Sequence, residues 1–165
     1  GYKTIEVKAL EYADTAISST KIRKALAEGN VIQANSYLGY EYAINGFVKK
    51  GIGLGKSIGF PTANIEGIES EKQIPADGVY VVKVVVCNKQ YFGMLNIGNN
   101  PTINNKGRSV EVNIFDFNAD IYDQPINILF IDRIRSEKRF DSLELLTEQI
   151  KADEISARQV IQLYK

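Results

Sequence analysis

Five stretches of the chain, residues 41–49, 78–87, 90–97, 109–117 and 125–133, concentrate Val, Ile, Tyr and Phe and are separated by Gly, Asn, Asp and Pro. Short apolar runs bounded by turn residues predict strands. Several of them in succession predict an antiparallel barrel or sandwich. In SVEVNIFDF the alternation is explicit: Val110, Val112 and Ile114 share one face, and Glu111 and Asn113 share the other. Asn88-Lys89 is the expected tight connection between the second and third strands.

The pattern changes to helical spacing at both ends. In DTAISSTKIRKALAEGN, Ser18, Ser19 or Thr20 can cap a helix, Ile22, Ala25 and Leu26 form its apolar stripe, and Gly29-Asn30 ends it. A second short helix is expected over residues 31–38, stopped by Gly39, and residues 2–10 read as a strand-like piece. Near the C-terminus, Asp141 followed by Glu144 resembles a capping box. Leu143, Leu146, Ile150, Ala157 and Val160 or Ile161 then define one amphipathic face, as for a helix that plugs or covers a barrel. The expected organisation is therefore a short α/β piece over residues 1–38 and a mainly β unit over residues 39–165, an antiparallel barrel closed by a C-terminal helix. The front piece is too short to bury a core of its own and is expected to be the tail of a larger module.

Composition narrows the chemistry. Twenty Lys and Arg balance twenty Asp and Glu, which argues against duplex nucleic acid or an anionic membrane as the main partner. No apolar run approaches the ~18 residues of a membrane span. The chain has no histidine, so Ser-His and Cys-His nucleophiles and histidine-ligated metals are excluded. A general base must be a carboxylate or a perturbed Lys, Tyr or Cys. The single cysteine, Cys87 in VVVCN, reads as a buried small hydrophobe, and a reducing, cytoplasmic compartment is expected.

The stretch GIGLGKSIGFPTANIE, residues 51–66, carries the candidate chemistry. A Walker A loop needs glycine five positions before Gly55, where Lys50 stands. The protein-kinase pattern GxGxxG fails at Lys56 or, counted from Gly53, at Ile58. Alternating glycines still permit close approach of phosphate oxygens to backbone N–H groups, although a glycine-rich hairpin with no ligand fits the same residues. In FPTAN, Thr62 and Asn64 lie two apart and face one side of an extended segment. Two neutral oxygens there can hold Mg²⁺ beside phosphates, or can make an Asx or Ser/Thr turn.

Taken whole, INGFVKKGIGLGKSIGFPTANIE resembles the signature of riboflavin kinase domains, and the likeness continues in order through IPADGVYVVKV, FGMLNIGNNPTI, VEVNIFDFNADIY and RIRSEKRFDSLELLTEQIKAD. The resemblance implies a Greek-key barrel that transfers the ATP γ-phosphoryl group to the 5′-hydroxyl of riboflavin. It implies Glu111 as catalytic base, Thr62 and Asn64 as Mg²⁺ ligands, and a nucleotide site formed by Gly51, Gly53, Gly55, Lys56, Gly59, Phe60, Pro61, Thr62 and Asn64. Asn96, Thr102, Arg135 and Phe140 fall where such domains hold the flavin. Asn113 stands where the family carries a histidine that is not the base, which implies local tuning rather than lost activity. ISSTKIRKAL resembles a late motif of the FMN adenylyltransferase module that precedes the kinase in bifunctional FAD synthetases. The paired histidines of that module are missing here, so the expectation is a kinase domain with a remnant of the module in front. A barrel that binds flavin or nucleotide without catalysis is the competing expectation.

Overall fold

The computed structural model describes residues 11–12, 15–51, 54–99 and 108–164. Strands β1 (Glu11–Tyr12) and β2 (Thr15–Ala16) pair with each other and lead into helices α1 (Ser19–Glu28) and α2 (Val31–Leu38). There follow β3 (Ala43–Lys49), α3 (Leu54–Ser57), β4 (Ala63–Glu66), β5 (Gly78–Val86), β6 (Lys89–Asn99), β7 (Arg108–Ile114), β8 (Pro125–Ser136) and α4 (Leu143–Tyr164). The expected strand over residues 2–10 lies outside the described residues.

The strands β3-β4-β7-β6-β5-β8 close into one antiparallel barrel. Within it, β5, β6 and β7 form a meander and β8 returns beside β5, which is the Greek-key order. The barrel interior is filled by alternate residues: Ile44 and Val48, Tyr80, Val82 and Val84, Leu95 and Ile97, Val110 and Val112, and Ile128 and Phe130. Tyr80 and Phe130 meet edge to face at 5.3 Å between centroids, and the Tyr80 hydroxyl donates to the Ala76 carbonyl at 2.5 Å. Burial pushes that hydroxyl's pKa up.

Strand β5 reads GVYVVKVVV and is buried on both faces at its start. Its inward residues enter the barrel core. Val79 and Val81 on its outer face join Met94, Phe115, Ile131, Ala157 and Ile161 in a second cluster beneath α4. The continuous apolar run thus reflects a strand sandwiched between the interior and a helix. Helix α4 covers the barrel wall. It starts from Ser142, whose hydroxyl accepts from the Leu145 N–H at 3.3 Å, rather than from the expected Asp141, and Leu143 is exposed. The side chain that reaches the last helix's first turn is fixed by where the chain enters, which the spacing of Asp141 and Glu144 does not determine.

At the other end, α1 is capped by the Ser18 side chain and closed by Gly29 at φ 76°. Ala25, Leu26, Val31 and Ala34 are buried in the same cluster as the barrel interior. Arg133 of β8 donates to the carbonyls of Glu28, at 3.0 Å, and Asp77, at 2.6 Å, and so ties α1 to the barrel.

Two expectations shift. The β5–β6 hairpin turns at Cys87-Asn88, both with positive φ (50° and 58°), one residue earlier than expected. Cys87 is consequently exposed, not buried: the strand pairing ends at Val86–Lys89, so the next side chain falls in the turn. The segment after FPT, absent from the five expected strands, is a sixth barrel strand, β4. No described helix is long and apolar enough to cross a membrane.

Candidate active site

Glu111 belongs to β7, whose burial alternates strictly, with Val110, Val112 and Ile114 inward. Its side chain is half-buried and faces away from the barrel interior, because the inward places go to the apolar residues. Antiparallel pairing then sets its neighbours. Asn64 of β4 lies opposite Glu111 on one side and Asn96 of β6 on the other. The row runs on from Asn96 to Val79 and from Val79 to Arg135. Side chains directly opposite share a face and stand about 4.5–5.5 Å apart at Cβ. A carboxylate is thereby set between two carboxamides contributed by strands far apart in the chain.

Thr62, two residues before Asn64 on the same face, donates its hydroxyl to Glu111 Oε2 at 3.2 Å. The residues preceding it lie in the long connection of the β3–β4 hairpin, whose pairing begins at Lys49 opposite Asn64. Leu54–Ser57 make a helical turn, and the Phe60 N–H donates back to the Gly55 carbonyl at 2.8 Å. Gly59, at φ +84°, supplies the left-handed residue that ends the turn.

Two of the glycines act by absence of a side chain. A Cβ on Gly51 would stand 1.9 Å from Asn64 Nδ2, and one on Gly55 would stand 2.2 Å from the Phe60 carbonyl oxygen and 3.3 Å from Thr62 Oγ1. The glycines let the loop lie directly on Thr62 and Asn64. Lys56 is exposed and Phe60 half-buried beside it. Gly53 and Thr102 lie outside the described residues.

The structure brings Gly51, Gly55, Thr62, Asn64, Glu111 and Asn96 together. Arg135 sits further along the row, where α4 approaches, and Phe140 lies beside it. The Arg135 guanidinium forms a forked pair with Asp153 (Nε at 3.0 and 2.9 Å, Nη2 at 2.7 Å) and lies 5.8 Å from the Phe140 ring centroid. Gln149 also donates to Asp153, at 2.9 Å. Asp153 is the buried charged residue of the described core, 3% exposed, and was missed from the sequence. Its signal is there in hindsight: it interrupts the apolar spacing between Ile150 and Ala157.

Among the described residues no three or more His, Cys, Asp or Glu side chains cluster as a metal site. The local donor set is a hydroxyl, a carboxamide and one carboxylate, all hard oxygens. That set fits Mg²⁺, which ordinarily takes few protein ligands and completes its shell with substrate phosphates and water.

A family model described as Flavokinase: Riboflavin kinase matches residues 38–161. The bifunctional riboflavin kinase/FMN adenylyltransferase of Bacillus subtilis (strain 168) is 45% identical over 154 residues, covering 92% of this chain and 48% of that protein. The protein of the same description from Escherichia coli (strain K12) is 42% identical over 151 residues, covering 90% and 47%. The chain thus spans about half the length of the curated relatives it matches. Among solved structures, a Streptococcus pneumoniae protein described as a macrolide-efflux protein superposes with TM-score 0.84 at 42% identity, over 92% of this chain and 50% of that one. The riboflavin kinase of Trypanosoma brucei superposes with TM-score 0.55 at 26% identity, over 73% and 76%.

Proposed function

The chain belongs to the riboflavin kinase family, and from that premise we propose that it transfers the γ-phosphoryl group of ATP to the 5′-hydroxyl of riboflavin, giving FMN and ADP. The observation that carries the reading is the contact of the Thr62 hydroxyl with Glu111 at 3.2 Å, with Asn64 and Asn96 flanking the carboxylate. Phosphoryl transfer asks for in-line positioning, charge neutralisation and a group to receive the hydroxyl proton.

Glu111 receives the proton of the 5′-hydroxyl as its oxygen bonds to the γ-phosphorus and the bond to the β–γ bridging oxygen breaks, which releases ADP. Thr62 and Asn64 would hold Mg²⁺, which when bound neutralises charge on the phosphate oxygens. Gly51 and Gly55, with Lys56, Gly59, Phe60 and Pro61, offer the wall against which the phosphates lie, and Gly53, outside the described residues, is assigned to the same role by its place in the sequence motif. Asn96, Arg135 and Phe140 form the flavin side, where the ring of Phe140 offers a surface for the isoalloxazine and Arg135 holds the Phe140 ring in place; Thr102, outside the described residues, is assigned to that side by its place in the sequence motif.

The test is direct. The purified chain, given ATP, Mg²⁺ and riboflavin, should form FMN and ADP in equal amounts, read by chromatography. Riboflavin binding without ADP release would instead favour a non-catalytic flavin carrier. Replacing Gly51 with alanine should lower kcat/KM for ATP about tenfold, the equivalent of roughly 1.4 kcal/mol, because the added methyl displaces the Asn64 carboxamide. A rate within twofold of wild type would remove the loop's role in setting Asn64.

A further inference from the structure

The β4–β7 ladder is unusually short, and its end falls at the site. Ala63 pairs with Val112 and Asn64 with Glu111. The same register would next set Thr62 opposite Asn113, yet the backbone pairing stops. Residue 61 is proline, which has no N–H to donate, and the chain there is turning out of the α3 segment. At that point the Asn113 side chain takes over: its Nδ2 donates to the Pro61 carbonyl at 2.7 Å. Since a carbonyl can only accept, the amide's donor end is fixed by its partner.

Glu111 and Asn113, two apart on the outer face of β7, therefore both hold the Pro61–Asn64 segment. One accepts from the Thr62 hydroxyl and the other grips the carbonyl immediately before Thr62. Asn113 is itself anchored, because its backbone pairs opposite Met94 of β6 and its carbonyl packs against Gly93, where a Cβ would stand 2.4 Å away. Threonine at the end of a strand, after proline and with no ladder bond of its own, has a backbone free to pivot unless a side chain holds it.

We propose that Asn113 is a positioning residue for phosphoryl transfer: its amide replaces the missing rung of the β4–β7 ladder and so fixes the Thr62 hydroxyl and Asn64 carboxamide toward the metal-bound nucleotide. The assignment rests on the kinase reading above. It gives a physical account of why this outward, half-buried place on β7 needs an N–H donor and does not need a proton acceptor.

The test compares Asn113→Leu, close in size but with no donor, with Asn113→His, whose ring N–H can donate over about the same reach. Neither change adds charge at pH 8. The readouts are the Kd of Mg·ADP by calorimetry, the KM values for ATP and riboflavin, and Tm. Asn113→Leu should raise the Mg·ADP Kd and the ATP KM about three- to tenfold, the range of one hydrogen bond, with the riboflavin KM and Tm unchanged. Asn113→His should stay near wild type in all four.

An unchanged Mg·ADP Kd in the leucine variant overturns the assignment. So do equal rises in both KM values with a fall in Tm, which mark a general loss of structure. A folded histidine variant as impaired as the leucine variant also overturns it, and this arm decides the matter should the leucine variant not fold. Failure of the kinase reading looks different: wild-type protein then makes no FMN, while the Mg·ADP Kd of the two variants still reports on the positioning.

Discussion

Replacing Glu111 with glutamine should slow riboflavin phosphorylation by about 10²-fold or more, the ordinary contribution of a positioned general base, with little change in Tm. Glutamine keeps the size of the side chain, and its carbonyl oxygen can still accept from the Thr62 hydroxyl, so the loop stays in place. The change removes the capacity to take a proton. In the surrounding row the neighbours are Asn64 and Asn96, which cannot substitute as bases, and the chain has no histidine to do so. Single-turnover rates at saturating ATP, Mg²⁺ and riboflavin measure the effect. A kcat within a few-fold of wild type would end the assignment of Glu111 as base and leave it a support for Thr62.

Replacing Asp153 with alanine should be the most damaging single change to stability, at about 3–5 kcal/mol, the cost of leaving a buried partner charge uncompensated. Asp153 is 4% exposed at its side chain and Arg135 15%, and the pair is forked and further satisfied by Gln149. The loss corresponds to a fall of about 6–20 °C in Tm at 2–4 °C per kcal/mol for a chain of this size. Changing both members, Arg135→Met with Asp153→Leu, should recover much of the stability, because the desolvation cost vanishes with the charges. Thermal and denaturant unfolding give the comparison. A loss below 1 kcal/mol in Asp153→Ala would mean that the pair is hydrated in solution. The double variant also separates two roles, since Arg135 lies in the same cross-strand row as Glu111 and holds the Phe140 ring. Restored stability with a raised riboflavin KM would assign Arg135 to the flavin side of the site.

Much of this was legible along the chain. The alternation through SVEVNIFDF places Glu111 and Asn113 on the outer face without reference to any other segment, since successive strand residues must alternate. The ends of the first two helices follow from Gly29 and Gly39, both of which adopt the left-handed conformation that stops a helix. The barrel class follows from short apolar runs punctuated by turn residues. Less local features were harder. Strand β4 is only four residues long and its turn-rich approach conceals it, and the position of Cys87 depends on where β5 and β6 cease to pair. The alternating glycines suggested freedom of backbone; in Gly51 and Gly55 their use is instead the space they leave for Asn64 and Thr62.

By itself, the sequence determined which residues are available, which face each strand presents and that a general base had to be a carboxylate or a perturbed Lys, Tyr or Cys, with no histidine to serve. Those properties are local, set by chirality, side-chain chemistry and the two-residue period of a strand. Only the tertiary structure decided that Asn64, Glu111 and Asn96 form one row, that Asp153 receives Arg135, and that the Asn113 amide completes a ladder which Pro61 cannot. These are pairings between segments far apart in the chain, chosen by which register buries the apolar faces together, and no local pattern carries that choice.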